Sequence, residues 1–499
     1  MRRLLLFTLL LLIVTSSYAI DKMTSYSGQI IGYKLSMGFR TGTIYVSNVV
    51  TGLTDTHMIS IDSLGHYLVS FPLKYDRECY VKFPFSAGNI YFKNGGKLIQ
   101  DFDISVIPVV KTTFKGDKAR LNTELYSMRP FFSEFDWDRI NKDIYQMSPE
   151  GYKGYFLAIQ ARKLKSIDSV SKAGNYSILS KDLASLSIRF TIGYKLLLYD
   201  DAIDISYKKV NNIPFDKRTP IQPTSRREDY YDFLKDLRYN SRDNWQSGAY
   251  VPFFTWFSNM ELIKNRFGRL DGVLFDYNKF LAEQPRLLKE ITGTHVSLEV
   301  DLIKLRAVCS AMQNTQTPLA DSTLSSLRAK LNNPSLISEV IDLNNTIEKA
   351  ILDSRMKTGY ANNETPKVAA DSVFNNIVKK YKGKVVLVDF WATWCVPCME
   401  GIRSISPIKE ELKDENIVFL YITNHTTPEE AYRVKMPGIK GEHFKVSEQE
   451  YNAIANRFSI NGIPHYMVID KSGNVIANSY QWGDPEQVKT VLLSLAKGQ

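Results

Sequence analysis

One stretch late in the chain restricts the fold more than any other. Lys384-Val385-Val386-Leu387-Val388-Asp389-Phe390 is a near-continuous apolar run, the pattern of a strand buried on both faces of a sheet. It passes directly into Trp391-Ala392-Thr393-Trp394-Cys395-Val396-Pro397-Cys398. Beyond it, Ile402, Ile405, Ile408 and Leu412 recur at helical spacing. Two cysteines therefore sit where a buried strand hands over to a helix. Backbone amides at a helix N-terminus carry partial positive charge and stabilise a thiolate there. A pair at this spacing can close a disulfide without moving the chain. The expectation is that Cys395 is exposed and attacks first, while Cys398, one turn in, is shielded and resolves the mixed disulfide.

The pair has two other readings. A tetrahedral zinc site wants four ligands, and the sequence holds no second CxxC and no clustered histidine pair. A purely structural bridge is possible in an exported protein, but over so short a loop it restrains little of the unfolded chain. Export itself is legible at the start. Met1-Arg2-Arg3 leads into an almost wholly apolar Leu4 to Val14, then Ser17-Tyr18-Ala19. This is the pattern of a signal peptide cleaved after Ala19. The apolar stretch is too short to span a bilayer, and no cysteine stands beside the cleavage site to carry a lipid. The expected location is the periplasm or cell envelope.

Val388 to Cys398 strongly resembles the active-site stretch of thioredoxin-fold proteins. With the export signal and the downstream layout, the chain resembles the TlpA/ResA-like thiol–disulfide oxidoreductases of bacterial envelopes, in their large Bacteroidetes form. The likeness covers residues 367–499; ahead of them it rests on layout. It implies a thioredoxin fold, a redox disulfide Cys395–Cys398, protein disulfides as substrates and a membrane thiol as electron donor. It implies no metal and no organic cofactor. It also implies that Pro464, in Asn461-Gly462-Ile463-Pro464-His465, is cis and faces the cysteines. A proline offers no N–H, and the backbone of Ile463 is left free to pair with an extended substrate segment. Pro464 follows Cys398 by 66 residues, and the extra length around 431–449 looks like the insertion of that group. Asp389 stands where plain thioredoxins bury an aspartate. A buried carboxylate has a raised pKa and can act as a base near neutral pH, so Asp389 is expected to deprotonate Cys398, directly or through water. Glu400 is the second carboxylate considered, one residue away from the acidic position of the TlpA group. Trp394 is expected to shield the thiolate and line the substrate surface. Val396-Pro397 replaces the Gly-Pro of plain thioredoxins, which leaves the reduction potential open.

The rest of the chain reads as a multidomain protein. Residues 20–115 carry short β-branched and aromatic runs such as Gln29-Ile30-Ile31-Gly32-Tyr33 and Tyr67-Leu68-Val69-Ser70-Phe71, which predict a small antiparallel β-sandwich-like domain. His57 and His66 read as surface-loop histidines. Residues 116–357 take up a helical period, as in Leu298, Leu302, Leu305, Cys309 and Met312, which predicts an all-α region with Cys309 as an inert buried thiol. Met260 to Ile291 reads as a helix broken near Pro285, and the aromatic-rich stretches 229–233 and 245–256 read as core. Residues 358–366 are polar and read as a linker to a C-terminal α/β domain, 367–499. The net charge of +10 is spread without a dense basic run, so nucleic-acid binding is not expected. The favoured function is reduction of envelope-protein disulfides through Cys395 and Cys398. The alternative is an adaptor whose residues 20–360 recruit a partner served by an appended thioredoxin domain.

Overall fold

The protein is described from a computed structural model, which covers residues 22–105, 110–133, 142–214, 217, 219–221, 226–267, 277–479 and 485–498. The expected signal peptide, Met1 to Ala19, lies outside the described residues. No described helix is long and apolar enough to cross a membrane.

The N-terminal part is an eight-stranded sheet: β1 (Lys22–Ile31), β2 (Thr41–Ser47), β3 (Thr54–Ile61), β4 (His66–Leu73), β5 (Arg77–Phe83), β6 (Ser86–Phe92), β7 (Lys97–Asp103) and β8 (Lys111–Gly116). The strand order is β6-β5-β2-β3-β4-β1-β7-β8. β4 alternates buried and exposed residues along most of its length, as a strand with one face on a core must. The sandwich is one continuous sheet rather than two. β5 and β7 stand near its opposite ends, yet Phe83 and Phe102 meet with ring centroids 5.3 Å apart, so the sheet curls around a single core. Nor is it wholly antiparallel, because β1 and β7 pair in parallel. His57 and His66 are in strands, not loops. Alternating patterns define the face of a residue but not the end of a strand, and His57 packs its ring 5.6 Å from that of Phe71.

The last strand of this sheet ends at Gly116, and the first helix begins at Ala119. The helices that follow share a large core, to which Val49 and Val50 of the turn between β2 and β3, and Tyr91 of β6, also belong. Asn48 and Lys74 reach Glu339 at 2.7 and 2.8 Å. Tyr230, Tyr231, Trp245, Phe253 and Phe254 are buried in that core, as their sequence clustering predicted. Pro285 does not break its helix. Tyr277–Thr292 runs through it, because Pro285 is exposed and the burial of Leu287, Leu288 and Ile291 outweighs one missing backbone hydrogen bond.

The C-terminal sheet comprises β9 (Tyr360–Asn363), β10 (Val385–Phe390), β11 (Ile417–Thr423), β12 (Gly441–Lys445), β13 (His465–Ile469) and β14 (Val475–Ser479), in the order β14-β13-β10-β11-β12-β9. The stretch read as a linker thus supplies an edge strand, β9, parallel to β12. Its polar composition fits an edge, where only one side of the backbone is paired. β10 is buried at all six positions, as its apolar run required. Val386, Val388 and Phe390 face one core with Val373, Phe374 and Ile377. Val385 and Leu387 face the other, with Ile405 and Ile408 of the helix Val396–Glu411, its C-cap Leu412, and Leu492 of the last helix. Strand alternation puts Asp389 on this second face.

Candidate active site

Cys395 is the last extended residue before the helix Val396–Glu411 and serves as its N-cap, with φ −81° and ψ 98°. Its sulfur accepts the Cys398 N–H at 3.2 Å, the geometry that places a sulfur on the positive end of a helix. Cys395 and Cys398 are disulfide-bonded, with Cα atoms 5.3 Å apart. Exposure differs from expectation. Cys395 is only 3% exposed against 0% for Cys398. The residues on either side take the solvent instead, Trp394 at 47% and Val396 at 66%. The reason is the apolar cluster into which the pair is packed: Trp391, Ile402, Tyr421, Tyr432, Met436 and Ile439, with Ile463 against it.

The peptide Ile463–Pro464 is cis, and Ile463 is thus brought to the cluster that holds both cysteines. Trp394 is fixed by its indole N–H, which donates to the Thr426 carbonyl at 3.1 Å. The Lys435 ammonium donates to the Thr393 carbonyl at 2.7 Å. Thr426 lies just before the helix Glu429–Lys435, and Lys435 ends it.

Asp389 is buried on β10, opposite Tyr421 of β11 and Tyr466 of β13. Burial pushes its carboxyl up to about 8, against the opposing pull of Lys409. Its Oδ1 has no hydrogen-bond partner among the described residues. Asp389 lines a cavity of about 10 Å³ with Gly401, Ile405, Tyr421 and Tyr466, a volume on the scale of a single water. Gly401 is one helical turn beyond Cys398. Lys409 is the residue the sequence reading missed. It is 8% exposed, and burial lowers its ammonium to about 8. Its Nζ donates to the Lys440 carbonyl at 2.7 Å and lies 4.4 Å from the Tyr421 ring centre. The signal was there: in Ile402, Ile405, Lys409 and Leu412, spaced three, four and three, a lysine interrupts an apolar stripe. Glu400, on the same helix, stands apart from this cavity and faces the N-terminal sheet, close enough to act on Tyr45.

A buried central strand, a capping cysteine with its partner one turn on, and a cis X–Pro peptide at the mouth define the thioredoxin class. Residues 383–475 match the family described as thioredoxin-like, and this part of the chain is a thioredoxin-like domain. Among curated proteins it is similar to the thiol-disulfide oxidoreductase ResA of Bacillus cereus, 29% identical over 101 residues, 20% of this chain and 56% of that protein. It is also similar to the thiol:disulfide interchange protein HelX of Rhodobacter capsulatus, 26% identical over 24% of this chain and 68% of that protein. This chain therefore spans little more than half the length of the ResA it matches. Among solved structures, a thioredoxin-family thiol:disulfide interchange protein from Chlorobium tepidum is 25% identical, over 24% of this chain and 83% of that one, with a TM-score of 0.21.

Proposed function

We propose that the protein is an exported thiol–disulfide oxidoreductase that reduces disulfides of envelope proteins. The observation that carries this reading is the Cys395–Cys398 disulfide capping a helix beside a cis-proline loop. Cys395 is the nucleophile. Its thiolate attacks a substrate sulfur, the substrate's S–S bond breaks, and a mixed disulfide forms. Cys398 then attacks Cys395, releasing the reduced substrate and leaving the protein oxidised. Asp389 takes the Cys398 proton, directly or through water. The backbone of Ile463, with Pro464, receives the substrate as an added strand, and Trp394 lines that surface. A membrane thiol restores the dithiol. No metal or organic cofactor enters this cycle. The comparisons lend no support to the adaptor reading of residues 20–360.

The test is a redox titration of the full chain in thiol–disulfide buffers, read by alkylation and mass. The pair should titrate as one two-electron couple, about 30 mV for each tenfold change in the equilibrium constant, equal to about 1.4 kcal/mol. A bridge that stays closed across the whole accessible range would make it structural.

A further inference from the structure

The residues just ahead of Cys395 form a tight turn. The Cys395 N–H donates to the Ala392 carbonyl at 3.0 Å, which leaves Thr393 and Trp394 as the central residues. The Thr393 N–H donates to the Thr427 hydroxyl at 3.4 Å, and the Thr393 carbonyl accepts from the Lys435 ammonium at 2.7 Å. One residue separates that carbonyl from the Cys395 backbone nitrogen. Covalent geometry therefore holds the Lys435 nitrogen within about 9 Å of that backbone nitrogen and about 12 Å of the Cys395 sulfur. Tyr432 and Met436, three residues before Lys435 and one after it, pack in the apolar cluster with both cysteines.

No carboxylate answers this charge. Among the described residues Lys435 forms no ion pair, and burial alone acts on its ammonium, lowering it. The neighbouring cations are matched: Arg433 with Glu429 and Glu430, Lys440 with Glu410, Lys445 with Glu429. The helices Ser297–Thr315 and Ile337–Ser354 pack against the helix Glu429–Lys435, yet none of their charged groups, Lys304, Glu348 and Asp353 among them, pairs with Lys435. Around the cysteines, burial lowers His443 of β12 to about 4 and raises Asp389 of β10 to about 8, with Lys409 opposing. Neither supplies an anion at neutral pH, and Glu400 turns to Tyr45 of the N-terminal sheet. A half-buried ammonium is costly without an anion, and reduction of the pair creates one beside it. At this range and an effective dielectric of about 20, a unit charge favours a thiolate by about one pH unit.

We propose that Lys435 is a positioning residue of the exchange reaction, which holds the turn ahead of Cys395 through Thr393 and supplies the positive charge that favours the Cys395 thiolate. The inference rests on the role proposed for Cys395 as nucleophile. A lysine in the last turn also suits the negative end of its own helix, but that role is blind to the state of Cys395.

The test follows iodoacetamide labelling of Cys395 against pH in the reduced full chain, with peptide mapping to identify the site. In Lys435→Met the midpoint should rise by about one pH unit, a tenfold loss of thiolate at pH values below it. Lys435→Gln keeps a hydrogen-bond donor without the charge and should rise as far. Lys435→Arg keeps the charge and should recover most of the shift. A midpoint that stays put in the neutral variants, or moves as far in Lys435→Arg, overturns the proposal and leaves Cys395 as nucleophile intact. If Cys395 of the unaltered chain titrates at the free-thiol value of about 8.5, the nucleophile reading fails and takes this proposal with it.

Discussion

At the scale of single residues, Cys395 and Asp389 are governed by different forces. The reactivity proposed for Cys395 comes from the helix it caps, whose first amides favour a negative sulfur. In the reduced protein iodoacetamide should label Cys395 well before Cys398, and peptide mapping at short times would show the order. Reversed labelling would exchange the two roles. Asp389 answers to burial. Its carboxyl is pushed up to about 8, while in the unfolded chain it ionises near about 4. Between those values the folded protein holds a proton that the unfolded chain has released. The contribution to stability is thus intact below about pH 4 and is lost as pH rises through about 8. Lys409 runs the other way: lowered to about 8, its contribution is intact above about 10.5 and lost as pH falls toward 8. Asp389→Asn should therefore stabilise the oxidised protein by about 1–3 kcal/mol at pH 9 and change little at pH 4, as thermal melts would record. The same variant should slow resolution of mixed disulfides by about 10² or more. A variant that melts lower at pH 9, or resolves at the normal rate, removes Asp389 from the relay.

At the scale of elements, what was legible depended on how strongly one rule acted. β10 and its helix were plain because burial on both faces and a helical stripe leave little choice among folds. β9 was hidden, since Tyr360-Ala361-Asn362-Asn363 has neither alternation nor β-branched residues, and its strand form comes from pairing with β12. The curl of the N-terminal sheet was equally invisible, because the contact between Phe83 and Phe102 is set by strand order and not by pattern. Lys409, a single charge within an apolar stripe, drew no reading from the sequence. These gains and losses suggest two measurements. A fragment starting at Lys357 keeps β9, whereas one starting at Lys367 leaves the β12 edge unpaired. The shorter fragment should melt lower and aggregate sooner; equal melting would make β9 dispensable. Tyr432, buried against Trp391 at the disulfide, should lose about 3 kcal/mol as Tyr432→Ala in denaturant titration.

At the scale of the whole molecule, four cysteines divide into two kinds. Cys395 and Cys398 are joined, while Cys79 and Cys309 are free and buried. Burial pushes both free thiols up to about 12, which leaves almost no thiolate to react. Cys79 belongs to the core of the N-terminal sheet and Cys309 to that of the helices. Non-reducing peptide mapping after oxidation should recover Cys395 linked to Cys398, with Cys79 and Cys309 unlinked. The central claim, that Cys395 attacks and Cys398 resolves, is tested most directly by trapping. Full-length Cys398→Ser, reduced and mixed with a protein disulfide, should accumulate a mixed disulfide through Cys395, identified by mass spectrometry, and Cys395→Ser should accumulate none. Trapping through Cys398 in the second variant, or none in the first, would contradict the account.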